Sequence, residues 1–123
     1  MIEVEILSPT SVCWKGKTSF VLVRTVVGAM GILPRRAPIV AQLAVDYVRC
    51  VTENGEKVFA TYGGYMSCDG ESKITIVASV VVPAEELDPH VFKDARERAE
   101  KLMEFEKKLY KNAKVEVDVK KGK

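Results

Sequence analysis

The sequence predicts a mainly β fold with an α-helical end: short strands closing into a sandwich or barrel, then a C-terminal helical segment. Three observations predict it. Apolar and polar residues alternate in short runs broken by turn residues over residues 1–84. After Pro83 the apolar spacing changes from two to between three and four. Charge density steps up at the same place. Residues 1–84 carry 8 basic and 7 acidic side chains, whereas residues 85–123 carry 11 and 10 in less than half the length. The composition therefore divides the chain into a β unit, 1–84, and a helical unit with a flexible tail, 85–123.

Ile2, Val4 and Ile6 alternate with Glu3 and Glu5, a half-buried strand. Ser11–Trp14 reads as a short strand turned at Lys15-Gly16-Lys17. Thr18–Arg24 is β-branched and aromatic, a further strand. Gly28–Pro38, with two glycines and two prolines, reads as a loop, and Ile39–Leu43 as a short strand. Tyr47–Thr52 and Lys57–Tyr62 flank Glu53-Asn54-Gly55-Glu56. An Asn-Gly pair at the centre of a two-residue connection predicts positive φ at both positions. Gly63-Gly64 interrupts the run. Tyr65–Cys68, a turn at Asp69–Ser72, and Lys73–Val82 form another hairpin that Pro83 ends.

Asp88 before Pro89 is an N-cap followed by proline at the first helical position. A helix from about Pro89 to Lys111, roughly 35 Å long, follows. Its apolar face is Phe92, Ala95, Ala99, Leu102 and Leu109, widened by Met103, Phe105 and Tyr110. Asp94 with Arg98, Glu97 with Lys101, and Glu104 with Lys108 are i,i+4 pairs in the favourable order. Val115, Val117 and Val119 read as tail.

The formal net charge is +2, which argues against a nucleic-acid binder. Residues 1–5 alternate acid with apolar, unlike a signal peptide. The apolar runs are far shorter than the ~20 residues of a membrane span. Cys13, Cys50 and Cys68, an odd count without paired spacing, read as buried small hydrophobes in a reducing compartment. No catalytic constellation, metal-ligand cluster or cofactor motif is present. His90, in the first helical turn, reads as a solvated surface residue. Two features stand above this background. The segment Gly28–Pro38 combines Met30, Ile32 and Leu33 with Arg35 and Arg36, suiting either a plain crossover or a docking surface. The helix stripe must bury itself on the β unit or on another helix.

The segment Gly28-Ala29-Met30-Gly31-Ile32-Leu33-Pro34-Arg35-Arg36-Ala37-Pro38-Ile39 resembles the Gly-x-x-Gly-Ile-Leu-Pro-Gly-His-Ala-Pro-Leu signature of F-type ATP synthase epsilon subunits. Tyr62-Gly63-Gly64-Tyr65-Met66 with Lys73–Ala78, and Glu86-Leu87-Asp88 with Ala95–Glu100, resemble two further blocks of that family in the same order. The resemblance spans residues 2 to about 110. It implies a β-sandwich of about ten strands and a helical domain of one long helix or a short hairpin. It implies a non-catalytic central-stalk subunit that couples proton or sodium flow through the c-ring to ATP synthesis and restrains ATP hydrolysis. Its implied partners are the gamma subunit and the c-ring through Gly28–Pro38, and the catalytic beta and alpha subunits when the helix extends. Its implied place is the cytoplasmic face of the bacterial inner membrane, held there by the complex.

Four departures accompany the resemblance. Arg35-Arg36 replaces the family's Gly-His, and Ala29 replaces a frequent acidic residue. The family's nucleotide motif, Ile/Leu-Asp-x-x-Arg-Ala, keeps Leu87-Asp88 but has Val91 and Phe92 at the Arg and Ala positions. That leaves Asp88 and Arg96 for any weak nucleotide contact. The helical region is also shorter than the family's helix pair. The reading from another class is a free-standing β-sandwich ligand-binding protein with its helix packed in cis.

Overall fold

The computed structural model describes the backbone of residues 1–121 and the side chains of residues 1–109. Ten strands precede one helix: β1 Ile2–Leu7, β2 Val12–Thr18, β3 Phe20–Thr25, β4 Gly28–Ile32, β5 Ile39–Gln42, β6 Val45–Thr52, β7 Gly55–Tyr62, β8 Tyr65–Cys68, β9 Lys73–Val77 and β10 Val81–Pro83. A 3-10 turn, Ala84–Glu86, leads into α1, Pro89–Lys121. The strands form two five-stranded sheets ordered β2-β1-β9-β8-β5 and β10-β7-β6-β3-β4. Of the sandwich and barrel that the strand spacing allowed, the fold is the sandwich.

Alternation accounts for the core. In β1, Ile2, Val4 and Ile6 are buried while Glu3 faces solvent. They meet Val21, Val23, Ile32, Val48, Phe59, Met66, Ile74 and Ile76 between the sheets. Trp14 and Phe59, from opposite sheets, stand 5.5 Å apart and close one side. β1 and β9 pair in parallel, and all other pairings are antiparallel.

Two glycine-bearing segments differ from the sequence expectation, for one reason. Lys15-Gly16-Lys17 continues β2 rather than turning, because Gly16 makes room for the Trp14 indole. A Cβ there would lie 2.5 Å from the ring. Likewise Gly28–Ile32 is strand β4 rather than loop, and a Cβ on Gly31 would lie 2.8 Å from the Phe20 ring. These glycines serve packing. The run predicted as Lys73–Val82 divides into β9 and β10, since β9 pairs in one sheet and β10 in the other. The Asn-Gly hairpin forms one step out of phase. Glu53-Asn54 is the connection, Gly55 pairs with Thr52, and of the Asn54-Gly55 pair only Gly55 has positive φ, at 113°.

Asp88 caps α1 as its sequence position predicts. Its Oδ1 accepts the His90 N–H at 2.9 Å, and its carbonyl accepts the Phe92 N–H at 3.2 Å. The helix continues to Lys121 rather than ending near Lys111, taking in the valines read as tail. No glycine or proline interrupts residues 90–121. Residues 122–123 of the expected flexible tail lie outside the described residues. None of the three predicted i,i+4 pairs closes within 4.0 Å. Exposed pairs of long side chains gain little from being held together.

Candidate functional site

The segment Gly28–Pro38 has two parts. Gly28, Ala29, Met30, Gly31 and Ile32 form the edge strand β4, anchored by buried Ile32 and half-buried Met30. Leu33, Pro34, Arg35, Arg36, Ala37 and Pro38 then cross to β5 with every residue exposed. Leu33 keeps 63% of its surface open. The crossover is nonetheless fixed. The Arg35 N–H donates to Ser72 Oγ at 2.8 Å, and the Cys68 thiol reaches the Arg36 carbonyl at 3.8 Å. Pro38 packs so close to Gly70 that a Cβ there would meet its ring at 2.8 Å. Arg35 has φ 66°, a left-handed conformation that costs a non-glycine residue free energy. The loop thus presents one large aliphatic side chain, Leu33, and two guanidinium groups from a held backbone.

The helix docks on the outer face of the second sheet. Phe92 is 1% exposed, with its ring 4.7 Å from Tyr47 and 5.4 Å from Tyr62, both edge-on. One turn later Arg96 reaches Asp46 Oδ1 at 3.6 Å, while Arg24 reaches Oδ2 at 3.6 Å. The same carboxylate accepts the Tyr47 N–H at 2.7 Å. Asp46 therefore ties β3, β6 and α1 together. Farther along, Met103 and Lys107 approach the β3–β4 turn at Val26 and Val27 across an open cleft of about 390 Å³.

The docked face is Phe92, Ala95, Arg96, Ala99 and Met103. Leu102 and Leu109, expected on it, are exposed by 62% and 52%, beside Phe105 at 59%. The rotation follows from Phe92 entering the Tyr47–Tyr62 pocket. Positions three, four, seven and eleven residues on then face the sheet, which selects Met103 over Leu102. Sequence periodicity identified the stripe but not which half of it the sheet covers.

Asp88 and Arg96, the residues left for weak nucleotide contact, lie two turns apart, and each is engaged within the chain. His90 is exposed, as its sequence position implies. Cys50 and Cys68 are buried, but Cys13 is exposed, against expectation. It follows from β2 parity, since Trp14 points inward and its neighbour must point out. Burial, and then the Glu56 carboxylate, push the Cys50 thiol up to about 12, so it is not a nucleophile at neutral pH. Among the described residues, no group of three or more His, Cys, Asp or Glu could hold a metal ion, and no helix is long and apolar enough to cross a membrane.

Residues 1–84 match the family model for the ATP synthase Delta/Epsilon chain beta-sandwich domain. The ATP synthase epsilon chain of Thermotoga petrophila is 38% identical over 104 residues, spanning 85% of this chain and 95% of that one. The epsilon chain of Brevibacillus brevis is 36% identical over 103 residues, covering 83% and 77%. A chain in the Euglena gracilis mitochondrial ATP synthase OSCP/F1/c-ring structure superposes with TM-score 0.68 at 24% identity. It covers 76% of this chain, which in turn spans 60% of that one. A chain in the Tetrahymena thermophila mitochondrial ATP synthase central stalk/c-ring structure gives TM-score 0.60 at 15% identity, covering 83% and 90%. At those identities the structural likenesses speak to the fold.

Proposed function

This chain belongs to the ATP synthase epsilon chain family, and from that premise we propose that it serves as a central-stalk subunit whose two parts dock differently. As an epsilon chain it is a non-catalytic subunit of a membrane-associated rotary complex. The finer assignment is that residues 1–84 form the docking sandwich and residues 85–123 the regulatory helix. Gly28–Pro38 meets the c-ring and gamma, on the cytoplasmic side of a bacterial membrane. The helix restrains hydrolysis by contacting gamma and the catalytic subunits once it leaves the sandwich.

The observation that carries this reading is the held, exposed crossover Leu33–Pro38. It leaves Leu33, Arg35 and Arg36 without a cover of their own. Fixing a surface before contact lowers the ordering cost of docking. The uncovered Leu102, Phe105 and Leu109 supply an apolar seam for a second helix while Phe92 stays docked.

The test is to purify the chain with its native complex and measure ATPase activity with and without it. The expected result is co-purification at fixed stoichiometry and faster hydrolysis when the chain is removed. A chain that stays monomeric beside the complex would overturn the assignment. Reversing Arg35 and Arg36 to glutamate should weaken assembly while the isolated chain keeps its melting curve.

A further inference from the structure

The four free edges of the sandwich are not alike. β2 carries Lys15 and Lys17, and β10 is three residues long and ends in Pro83. Lysines, proline and short length all discourage another strand from adding. On the opposite side, β4 reads Gly-Ala-Met-Gly-Ile and β5 reads Ile-Val-Ala-Gln, without a charge or a proline. β5 is partly blocked, because its Gln42 carbonyl accepts the Val26 N–H at 3.0 Å. The bare edge is β4.

The direction of its backbone groups follows from β3. The Arg24 carbonyl accepts the Ala44 N–H at 3.0 Å, so Arg24 directs its backbone away from β4. In an antiparallel ladder neighbouring residues alternate, so Leu22 does the same. Ala29 and Gly31 lie opposite Arg24 and Leu22. Their N–H and C=O groups therefore face outward along the free edge, and both residues are exposed.

We propose that β4 accepts an extended strand from a partner polypeptide of the stalk, enlarging the second sheet to six strands; the inference rests on the stalk reading above. The occupant is uncharged where it pairs with Ala29 and Gly31 and carries a carboxylate where it passes Arg35 and Arg36. Those two guanidinium groups have no carboxylate within 4.0 Å among the described residues. A second copy suits the edge poorly. A twofold pairing centred on Met30 would set Ala29 against Gly31 of the other copy and, with no Asp or Glu in residues 28–38, would bring no carboxylate to Arg35 and Arg36.

Amide hydrogen exchange measured on the full chain, free and within the purified synthase, tests this. The expected result is at least tenfold slower exchange at Ala29 and Gly31 in the complex. Unchanged exchange there, in a complex that contains the chain, overturns the proposal. So does a free-chain dimer that protects the same amides. Ala29→Pro removes one outward N–H and should fold alone, since an edge strand tolerates proline on its open side. It should enter the complex at least tenfold less than Ala29→Val, which keeps the N–H. Equal incorporation sinks the idea, and if the proline variant does not fold, the exchange measurement decides. If the wild-type chain itself fails to enter the complex, the stalk reading falls and this inference with it.

Discussion

Arg96 on α1 stands 3.6 Å from the Asp46 carboxylate on β6, and that carboxylate also holds Arg24. Asp46 is only 15% exposed in its side chain, while Arg96 is 33% exposed. The two ends of the contact are therefore not equivalent. Arg96→Ala removes one partly screened pair, and we expect it to weaken helix docking by about 0.5–1 kcal/mol. Asp46→Ala leaves two guanidinium groups and the Tyr47 N–H without their acceptor, and should cost about 1–3 kcal/mol. Amide exchange along Val91–Ala99 measures both. Equal protection loss in the two variants would contradict the shared-carboxylate account.

Phe92 is the one fully buried residue of α1 among the described residues. It packs on the outer face of the sheet, apart from the core between the sheets. Phe92→Ala should therefore release α1 without melting the sandwich, at about 3–5 kcal/mol of docking free energy. Limited proteolysis should cleave the helix early while residues 1–84 survive as a fragment. A single cooperative loss of both parts would show that helix and sandwich are one unit.

Much of this was readable beforehand, and the failures share a cause. Asp88-Pro89 announced the helix start because capping is local chemistry. Ile2, Val4 and Ile6 announced an inward face because a strand's period is two. Gly16 and Gly31 misled because their role is to leave space for Trp14 and Phe20, neighbours that only the fold brings over them. Leu102 and Leu109 misled because the Tyr47–Tyr62 pocket, not the helix's own pattern, selects the covered side. The segment Gly28–Pro38 stands out by its residue types. Its division into an edge strand and a held crossover depended on pairings with β3 and Ser72.

Arg35 occupies a left-handed backbone position, φ 66°, which favours glycine. Arg35→Gly relieves that conformation but frees the unfolded chain, so the two effects oppose. Left-handed strain is about 1–2 kcal/mol, and the unfolded-chain term about 0.4–1 kcal/mol. We expect a net gain of up to about 1.5 kcal/mol in urea denaturation of the isolated chain. Assembly should weaken all the same through loss of one guanidinium. A destabilised Arg35→Gly chain would mean that the arginine side chain makes contacts that outweigh the strain.

The three cysteines should separate by reactivity and by pH. Cys13 lies exposed on the edge strand β2, whereas Cys50 and Cys68 are buried. A maleimide reagent at neutral pH should modify one thiol per folded chain quickly and the other two only on unfolding. Cys50 adds a linkage effect. Its thiol is raised from 9.0 to about 12 in the folded chain, first by burial and then by Glu56. The unfolded chain therefore loses this proton first as pH rises. The contribution to stability is fully present below pH 9 and is lost as pH climbs from 9 toward 12. Cys50→Ala should flatten that part of the stability profile, with some loss of packing at every pH. An unchanged alkaline slope would show that another group controls it.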